Sequence, residues 1–292
     1  MNLIDAHHHV WDLTVRDQEW ITGPELAPIR RSFGLDDLRP LAAAAGVGAT
    51  IVVQTVCVPE ETPELLALAA SAPLVAGVVG WTDLTAPGVA DALARLRALP
   101  GGERLVGIRH QVQGEADPDW LRRPDVLRGL RAVAAAGLVY DLVVLPPQLP
   151  AAAYAAAAVP ELVFVLDHAG KPPIASGALE PWAGALRALA GRANTVCKLS
   201  GLVTEAAPGA GQAEFAPYAR VILDAFGPGR TMYGSDWPVC LPTAGYLEVL
   251  DLAAALVAGL GLDRAERAAV FAATAARVYL DGGANGGMRG TH

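Results

Sequence analysis

The side chains best suited to chemistry in this sequence are its histidines, because five of the six lie at the ends of short apolar runs. These five are His7, His8, His9, His110 and His168. His7 and His9 are two apart on a segment predicted to be extended, which points both imidazoles to one side and His8 to the other. Such a pair is typical of a zinc site, although it could equally hydrogen-bond a substrate without a metal. His8 is predicted to be structural.

Asp236 is the acidic residue best placed to act beside these histidines, since it ends the apolar segment Thr231–Asp236. A carboxylate there could bind a metal, take a proton from water, or do both. The alternative is a cap on the turn before Pro238. His168, close to Lys171, could be a third metal ligand, a general acid or base, or a group that polarises a carbonyl; a structural core histidine is the alternative.

Two cationic residues lie at or near the ends of other apolar segments. Arg109 can donate paired hydrogen bonds to a carboxylate or an oxyanion, or it can form a structural salt bridge. Lys198 would be costly inside the protein unless it is paired, so we expect an ion-pair partner, either Glu205 or Asp236.

Runs rich in β-branched residues alternate with Ala- and Leu-rich stretches along the chain, which predicts buried strands separated by helices. The predicted strands are Leu3–His7, Thr50–Val56, Leu74–Trp81, Leu105–Val112, Leu138–Leu145, Leu162–His168, Thr195–Ser200 and Thr231–Asp236. The predicted helices are Leu35–Ala45, Pro63–Ala70, Val89–Leu99, Val126–Ala136, Pro150–Ala157, Trp182–Ala190, Glu214–Ala225 and Tyr246–Leu260. Asp36 or Asp37 is expected to cap the first helix, and Gly46 and Gly137 fit helix C-caps.

Eight strand and helix pairs favour closure into a single-domain (β/α)8 barrel, with an open doubly wound sheet as the alternative. The first strand is not followed by a dinucleotide-binding glycine motif, which disfavours that alternative. An extra helix over Asp263–Leu280 is expected to pack outside the barrel. The domain is predicted to span residues 1–281, followed by a flexible tail, Gly282–His292. In such a barrel, chemistry occurs at the carboxyl ends of the strands.

Composition indicates which binding partners and which cellular locations are disfavoured for this protein. The net charge of −8 disfavours nucleic-acid binding, and the 53% hydrophobic content excludes global disorder. No apolar run reaches the roughly 20 residues that a membrane helix needs, and the N-terminus does not resemble a signal peptide. The three cysteines are widely spaced, which favours a reducing cytoplasm. The sequence leaves open whether the chain forms a homo-oligomer.

Five motifs carry a resemblance that spans Leu3 to Tyr279. They are Ile4–Trp11, Gly107–His110, Leu166–Pro172, Cys197–Leu202 and Tyr233–Pro238. Their order resembles the amidohydrolase superfamily, and within it the amidohydrolase-related branch that contains sugar lactonases (L-fuconolactonase-like and L-rhamnono-lactonase-like enzymes) and a pyrone dicarboxylate lactonase. The resemblance implies a distorted (β/α)8 barrel.

The resemblance also implies roles for individual residues. It places a metal-binding pair on His7 and His9, a late-strand histidine on His168 and a final-strand acid on Asp236. Members with two metal ions supply a lysine from the fourth strand and a histidine from the fifth, and neither is present here. The resemblance therefore implies at most one divalent metal, with zinc preferred, and the branch also contains members that need no metal.

The mechanism expected from this resemblance is hydrolysis of a small lactone, preferably a sugar lactone. Asp236 would take a proton from water and return it to the ring oxygen, while Arg109, His168 or a metal stabilises the oxyanion. The residues expected to bind substrate are Trp11, His110, Lys171 and Trp237, with Trp81 as a further sugar-stacking candidate. Asp12–Gly34 is expected to act as a lid. The alternatives are a metal-dependent nonoxidative decarboxylase and a non-catalytic barrel that binds a small ligand.

Overall fold

The computed structural model describes residues 3–281 and contains eight strands within them. The strands form one sheet in sequential order, and each consecutive pair is parallel. They are β1 (Leu3–His8), β2 (Val47–Val53), β3 (Val75–Gly80), β4 (Leu105–His110), β5 (Val139–Leu142), β6 (Phe164–Leu166), β7 (Thr195–Leu199) and β8 (Thr231–Tyr233). This order confirms the predicted barrel, because a doubly wound sheet reverses its strand order.

Helices follow the strands and cover the outside of the sheet. They are α1 (Leu35–Ala44), α2 (Glu61–Ser71), α3 (Val89–Arg97), α4 (Pro124–Ala135), α5 (Leu149–Ala158), α6 (Trp182–Ala190), α7 (Gln212–Phe226), α8 (Tyr246–Gly259) and α9 (Arg264–Ala268). The N-cap of α1 is Gly34 rather than either of the two acids expected there, and Asp37, three residues later, accepts a hydrogen bond from the backbone N–H of Gly34. Gly46 and Gly137 have the positive φ angles expected just after a helix end. None of the helices within residues 3–281 combines the length and apolarity needed to cross a membrane.

The first and last strands meet through the segments that follow them. The backbone N–H of His9 donates to the carbonyl of Trp237 at 2.7 Å, and the N–H of Asp236 donates to the carbonyl of His7 at 2.8 Å. Asp5 adds a buried link, since its carboxylate accepts hydrogen bonds from the backbone and hydroxyl of Ser235. Barrel closure therefore brings the first and last motifs of the chain into direct contact.

The C-terminal segment packs differently from the expected outer helix. After α9 it continues as wider helical turns over Ala269–Ala273 and Ala276–Leu280. Ala272 and Val278 pack with strand residues such as Ile51 in one buried cluster. The segment therefore closes the barrel interior from the end opposite the histidines. The predicted tail, Gly282–His292, lies outside the described residues, and the domain boundary stays a prediction.

Most strands differ from their predicted ranges, in ways that matter for the site. β6 ends at Leu166 and β8 at Tyr233, so His168 and Asp236 lie in the loops just after their strands. The apolar pattern runs on through these loops because their residues are also buried. β2 begins earlier than predicted, at Val47, because Gly46 turns the chain directly from α1 into the strand.

Candidate active site

Three imidazoles surround one carboxylate at the carboxyl end of the barrel. The Nε2 atoms of His7 and His9 are 3.1 Å apart, which confirms that both side chains point to one side. Asp236 Oδ1 lies 3.7 Å from His7 Nε2, 3.5 Å from His9 Nε2 and 3.8 Å from His168 Nε2. All four side chains are buried. The structure thus brings together the histidines and the aspartate that the sequence placed at separate strand ends.

Hydrogen bonds on the far side of each ring orient these imidazoles. His9 Nδ1 lies 2.7 Å from the carbonyl oxygen of Val53, which can only accept, so Nδ1 carries the proton. In neutral His9, Nε2 therefore carries a lone pair. His168 Nδ1 lies 2.9 Å from the hydroxyl of Ser200, which leaves Nε2 of His168 facing the same carboxylate.

The loops after β6 and β8 hold their side chains with unusual backbone angles. His168, Ala169, Lys171 and Asp236 all have positive φ values, between 51° and 59°. Such angles are costly for residues other than glycine, and they cluster at functional sites. Gly201, at φ 62°, lies against His168, and a Cβ atom there would fall 2.5 Å from His168 Nδ1. The backbone is therefore shaped around the two residues that face each other across the cluster.

Arg109 is fixed in place by Gln54 and Asp167. Its Nε and Nη2 donate to the side-chain oxygen of Gln54, and Nη2 also donates to the Gln54 carbonyl. Nη1 donates to Asp167 Oδ2 at 2.9 Å. Four of the five guanidinium N–H groups are thereby used, and Nη1 lies 3.4 Å from His7 Nε2. Arg109 thus combines the predicted salt bridge with one N–H directed at the imidazole cluster.

Lys198 lies beneath the cluster, but neither partner expected from the sequence pairs with it. Its Nζ is 2.6 Å from Asp141 Oδ2 and 2.9 Å from Asp167 Oδ1, and all three side chains are fully buried. The expectation of Glu205 or Asp236 was wrong because the lysine extends across the barrel toward β5 and β6. Glu205 pairs instead with Lys171, at 3.4 Å.

Burial dominates the protonation of the cluster. It lowers the pKa of His168 to about 4 and lowers the pKa of His7 well below its usual value. Burial would raise the pKa of Asp236, but interactions with His168 and His9 outweigh it and hold that pKa far below its usual range. At neutral pH an ionised Asp236 therefore lies beside the uncharged imidazoles of His7 and His168.

The carboxylates beneath the cluster have opposite shifts. Burial raises the pKa of Asp141 to about 6, although Lys198 opposes this shift. Burial acts in the same direction on Asp167, but Lys198 and His7 outweigh it and hold the pKa of Asp167 well below its usual range. The lysine is therefore paired with at least one ionised carboxylate at neutral pH.

The donor set fits one divalent cation. His7, His168 and Asp236 each offer one ligand atom, and these atoms lie within 4.8 Å of one another. His9 Nε2 is close enough to Asp236 to join them. Two or three imidazole nitrogens with one carboxylate oxygen are a common zinc ligand set. The structure thus groups His168 with His7 and Asp236, and His9, the third member of the predicted set, lies beside Asp236.

The charges around these donors also fit a cation. The buried carboxylates that contact the imidazole rings or Lys198 Nζ are Asp141, Asp167 and Asp236, and the buried cations beside them are Arg109 and Lys198. When the carboxylates are ionised, one negative charge is in excess. An uncompensated buried charge is costly, so the cluster has an electrostatic reason to bind either a cation or a proton.

A cavity of about 510 Å³ opens above the cluster. His9, Arg109, His168, Lys171 and Asp236 line it. The rest of the wall is formed by the polar residues Glu25, Thr55, Gln111, Gln113, Thr204, Glu205 and Thr243 and by the apolar residues Trp20, Leu26, Val143, Pro208, Val239 and Pro242. The predicted lid segment thus contributes residues to this wall. A second cavity, of about 550 Å³ beside Trp81, includes none of the cluster residues.

Three residues expected to bind substrate do not line the cavity. Trp11 and Trp237 are buried on either side of Phe33, with ring centroids 5.5 Å and 5.4 Å from it. His110 stacks on Trp120 with ring centroids 4.4 Å apart. Aromatic residues at strand ends can pack inward or face a ligand, and the course of the following loop decides which. Of the predicted substrate residues, only Lys171 lines the cavity.

The sequence analysis predicted the role of one further residue near the cluster correctly and missed two others. His8 Nε2 lies 3.0 Å from the hydroxyl of Thr50, away from the cavity, as expected for a structural histidine. Asp141 and Asp167 were missed by the sequence analysis, although each is a charged residue in or directly after an apolar strand. Such a residue needs a buried partner, and that signal could have singled out both.

Eight β/α units with histidines and an aspartate gathered at the strand ends place this protein among barrel enzymes that use imidazole and carboxylate groups. Residues 4–280 match the amidohydrolase family, and the chain belongs to that family.

Two relatives with assigned activities match most of the chain. An L-fucono-1,5-lactonase from Burkholderia ambifaria is 44% identical over 236 residues, covering 81% of this chain and 80% of the relative. An L-fucono-1,5-lactonase from Burkholderia multivorans is 42% identical over 287 residues, covering 94% and 95%. A crystal structure of an amidohydrolase from Burkholderia multivorans with bound zinc is 41% identical, with a TM-score of 0.89 and coverage of 96% and 99%.

Proposed function

We propose that this protein is a hydrolase that opens the ester ring of a sugar lactone. The observation that carries the proposal is the buried, ionised Asp236 carboxylate, which lies among three imidazoles and lines a cavity of about 510 Å³. Relatives at 42% and 44% identity named L-fucono-1,5-lactonase support the substrate class. No feature of the cavity favours the decarboxylase or the non-catalytic barrel over this reaction.

Asp236 is the proposed general base. The carboxylate is ionised across the neutral range, so Asp236 is in the form that can accept a proton. A water between Asp236 and the lactone carbonyl would lose its proton to the carboxylate as its oxygen attacks the carbonyl carbon. The C–O bond that forms gives a tetrahedral intermediate with one negative oxygen.

Arg109 and His168 are the proposed stabilisers of that oxygen. Both side chains line the cavity, and Arg109 is held rigidly by Gln54 and Asp167. A fixed cation needs no reorganisation when charge develops, which is why such groups contribute strongly to rate. When the intermediate collapses, the bond to the ring oxygen breaks and protonated Asp236 returns its proton to that oxygen. The product is an open hydroxy acid, and Asp236 is regenerated.

A single zinc ion is the proposed metal. His7, His9, His168 and Asp236 are the residues that would hold it, and a related amidohydrolase structure with bound zinc supports this choice. When bound, zinc supplies a Lewis acid that polarises a carbonyl oxygen. Hydrolysis without a metal uses the same Asp236, Arg109 and His168.

We propose an uncharged sugar lactone, with L-fucono-1,5-lactone as the first candidate. Gln111, Gln113 and Thr204 can hydrogen-bond ring hydroxyls, and the apolar side chains of Leu26 and Val143 can contact a deoxy carbon. Lys171 and Glu205 are paired with each other, which leaves neither as a free charge for a polyanionic substrate. A cytoplasmic location and homo-oligomer formation stay predictions.

Proton release in weak buffer tests the proposal. A panel of aldonolactones would be compared with pyrone and muconolactones, after subtraction of spontaneous opening. Asp236→Asn should lower kcat by about 10²- to 10⁴-fold, since general base catalysis is lost. Asp251→Asn, on the exposed face of α8, is the matched control and should leave the rate unchanged. No release on the whole panel from folded, zinc-loaded protein would sink the proposal and direct the search to carbon dioxide release from aromatic acids.

A further inference from the structure

Lys198 is a fully buried cation that the proposed chemistry does not use. Its Nζ lies 2.6 Å from Asp141 Oδ2, 2.9 Å from Asp167 Oδ1 and 3.1 Å from His7 Nδ1. Tyr279, in the C-terminal segment, donates its hydroxyl to the same Asp141 at 2.8 Å. The lysine therefore connects the base of the barrel to one imidazole of the cluster.

In the contact between Lys198 and His7, the lysine is the hydrogen-bond donor. An ammonium group only donates, so Nδ1 of His7 must present a lone pair to Lys198 Nζ. In neutral His7 the ring proton then lies on Nε2. If Nδ1 carried the proton, its N–H would face an N–H of Lys198 at 3.1 Å, which is unfavourable.

The opposite side of the His7 ring independently selects the same tautomer. His9 donates through Nδ1 to the Val53 carbonyl, so in neutral His9 the Nε2 atom carries a lone pair, and that atom is 3.1 Å from His7 Nε2. A proton on His7 Nε2 turns this pair of nitrogens into a hydrogen bond. Without it, two lone pairs would face each other. Two contacts oppose this assignment: Arg109 Nη1 lies 3.4 Å from His7 Nε2, and Asp167 Oδ1 lies 3.2 Å from His7 Nδ1.

The structure also contains a partner for the other tautomer. Asp167 Oδ1 is buried, pairs with Lys198 Nζ at 2.9 Å and lies 3.2 Å from His7 Nδ1. If the ring proton moved to Nδ1, the Nδ1–H group would donate a hydrogen bond to Asp167. Nε2 would then present a lone pair to the cluster. That is the form in which His7 can bind a cation. Lys198 and Asp167 thus favour opposite tautomers of one imidazole.

We propose that Lys198 is a positioning residue that holds His7 in the Nε2-protonated tautomer and thereby weakens divalent cation binding at the cluster. The proposal rests on the proposed function only in taking this cluster as the reaction site. In the zinc-free protein, His7 is then an N–H donor rather than a ligand. A cation must displace this proton to Nδ1, against the contact with Lys198.

The tautomer of His7 can be measured directly in the zinc-free wild type. Long-range nitrogen-15 spectra of the histidine-labelled protein distinguish protonated from unprotonated ring nitrogens, and His7→Gln assigns the signal. We expect an unprotonated Nδ1 and a protonated Nε2. A protonated Nδ1 in the wild type would overturn the proposal, whatever the variants do.

A charge-matched pair of variants tests the role of Lys198. Lys198→Met with Asp141→Asn removes one positive and one negative charge, so the net charge of the cluster is kept. His7 should change to the Nδ1-protonated form, and zinc should bind about 10- to 100-fold more tightly in competition with a chelator, the usual size of effects on ligand orientation. Asp141→Asn alone retains Lys198 and should leave the His7 signal unchanged.

An unchanged His7 signal or unchanged zinc affinity in the folded double variant would contradict the proposal. Should the double variant fail to fold, Lys198→Leu with Asp141→Asn keeps the same charge match and also removes the N–H donor to His7 Nδ1. Neither readout needs a lactone, so failure of the proposed lactonase activity would be seen separately. A silent lactone panel together with the expected His7 spectra would refute the function and leave the role of Lys198 standing.

Discussion

At the scale of single residues, burial and the neighbouring side chains decide which groups of the cluster are charged. Asp236 keeps its charge in a buried site because the surrounding imidazoles offset the loss of water. The imidazoles of His7 and His168 are kept neutral by the same burial. An ionised base beside uncharged nitrogen groups can accept a proton and then release it, which ester hydrolysis requires in succession.

His168 should make folding stability depend on acid. Its folded pKa of about 4 is below the ordinary value of 6.5, so the unfolded chain binds more protons between these pH values. Stability contributed by neutral His168 is therefore present above about pH 6.5 and lost as pH falls toward 4. Urea unfolding should show that His168→Gln removes about 2 kcal/mol of the stability lost between pH 7 and pH 5.

The control for this experiment is Asp141, whose pKa of about 6 is shifted in the opposite direction. Because folded Asp141 binds the extra proton, its contribution falls as pH rises from about 4 to 6. Asp141→Asn should therefore steepen the acid loss that His168→Gln reduces. Equal pH profiles for the two variants would show that neither shift governs acid stability.

The histidines and Asp236 were predictable from the sequence because each ends an apolar segment, and parallel strands of a barrel end at one face. The Lys198 partners were not, since Asp141 is far from Lys198 along the chain and its side chain meets the lysine only inside the closed barrel. Trp11 and Trp237 do not line the cavity because Phe33, from the returning loop, packs between them.

At the scale of elements, loops rather than strands set the final geometry. β6 and β8 end before His168 and Asp236, and positive φ angles turn both side chains toward the cavity. The loop after β7 must leave room for the His168 ring, which it does with a glycine. The strands thus place the loops at one face of the barrel, and the loops orient the side chains of His168 and Asp236.

Gly201→Ala should impair catalysis by displacing His168. The added Cβ would fall 2.5 Å from His168 Nδ1, which forces the ring away from Ser200 and Asp236. We expect kcat for lactone opening to fall by about tenfold or more, as misplacement of a catalytic group does. Gly261→Ala is the matched control, because its φ of 79° carries a similar backbone cost with no atom near the new Cβ.

Equal losses of activity in these two glycine variants would assign the effect to backbone strain rather than to His168. Thermal unfolding separates the cases further, since both variants should lose stability while only one loses activity. Crowding of His168 should also abolish its hydrogen bond with Ser200, which the nitrogen-15 signal of His168 would report.

The segment between β1 and α1 should control substrate affinity. Trp20 lines the cavity, and its indole is held by a hydrogen bond to Gln18 at 2.8 Å and by edge contact with Trp11. Trp20→Ala should raise KM for the lactone about tenfold with kcat little changed, since ring stacking is lost but Asp236 is untouched. Trp20→Phe should restore most of the affinity. A fall in kcat without a change in KM would mean that the loop acts on chemistry instead.

At the scale of the whole molecule, the barrel interior is polar at the end that carries the cavity and apolar at the opposite end. Strand residues and the C-terminal segment fill the lower half of the interior, and the charged network lies between that core and the cavity. The regular alternation of strands and helices made this architecture predictable. The course of the C-terminal segment was not, because an amphipathic helix can cover either the outer wall or the open end of a barrel.

Tyr279 is where the C-terminal segment meets the charged network, so Tyr279→Phe tests how far the base of the barrel controls the site. Losing its hydroxyl would deprive the buried Asp141 of a donor, which should lower the free energy of unfolding in urea by about 1–3 kcal/mol. Catalysis should change by no more than a few-fold, because Lys198 still pairs with Asp141 and Tyr279 does not line the cavity. Tyr154→Phe, at an exposed tyrosine, is the control and should alter neither quantity. A large loss of activity with unchanged stability would instead show that the hydrogen bond at the base of the barrel governs the chemistry at its mouth.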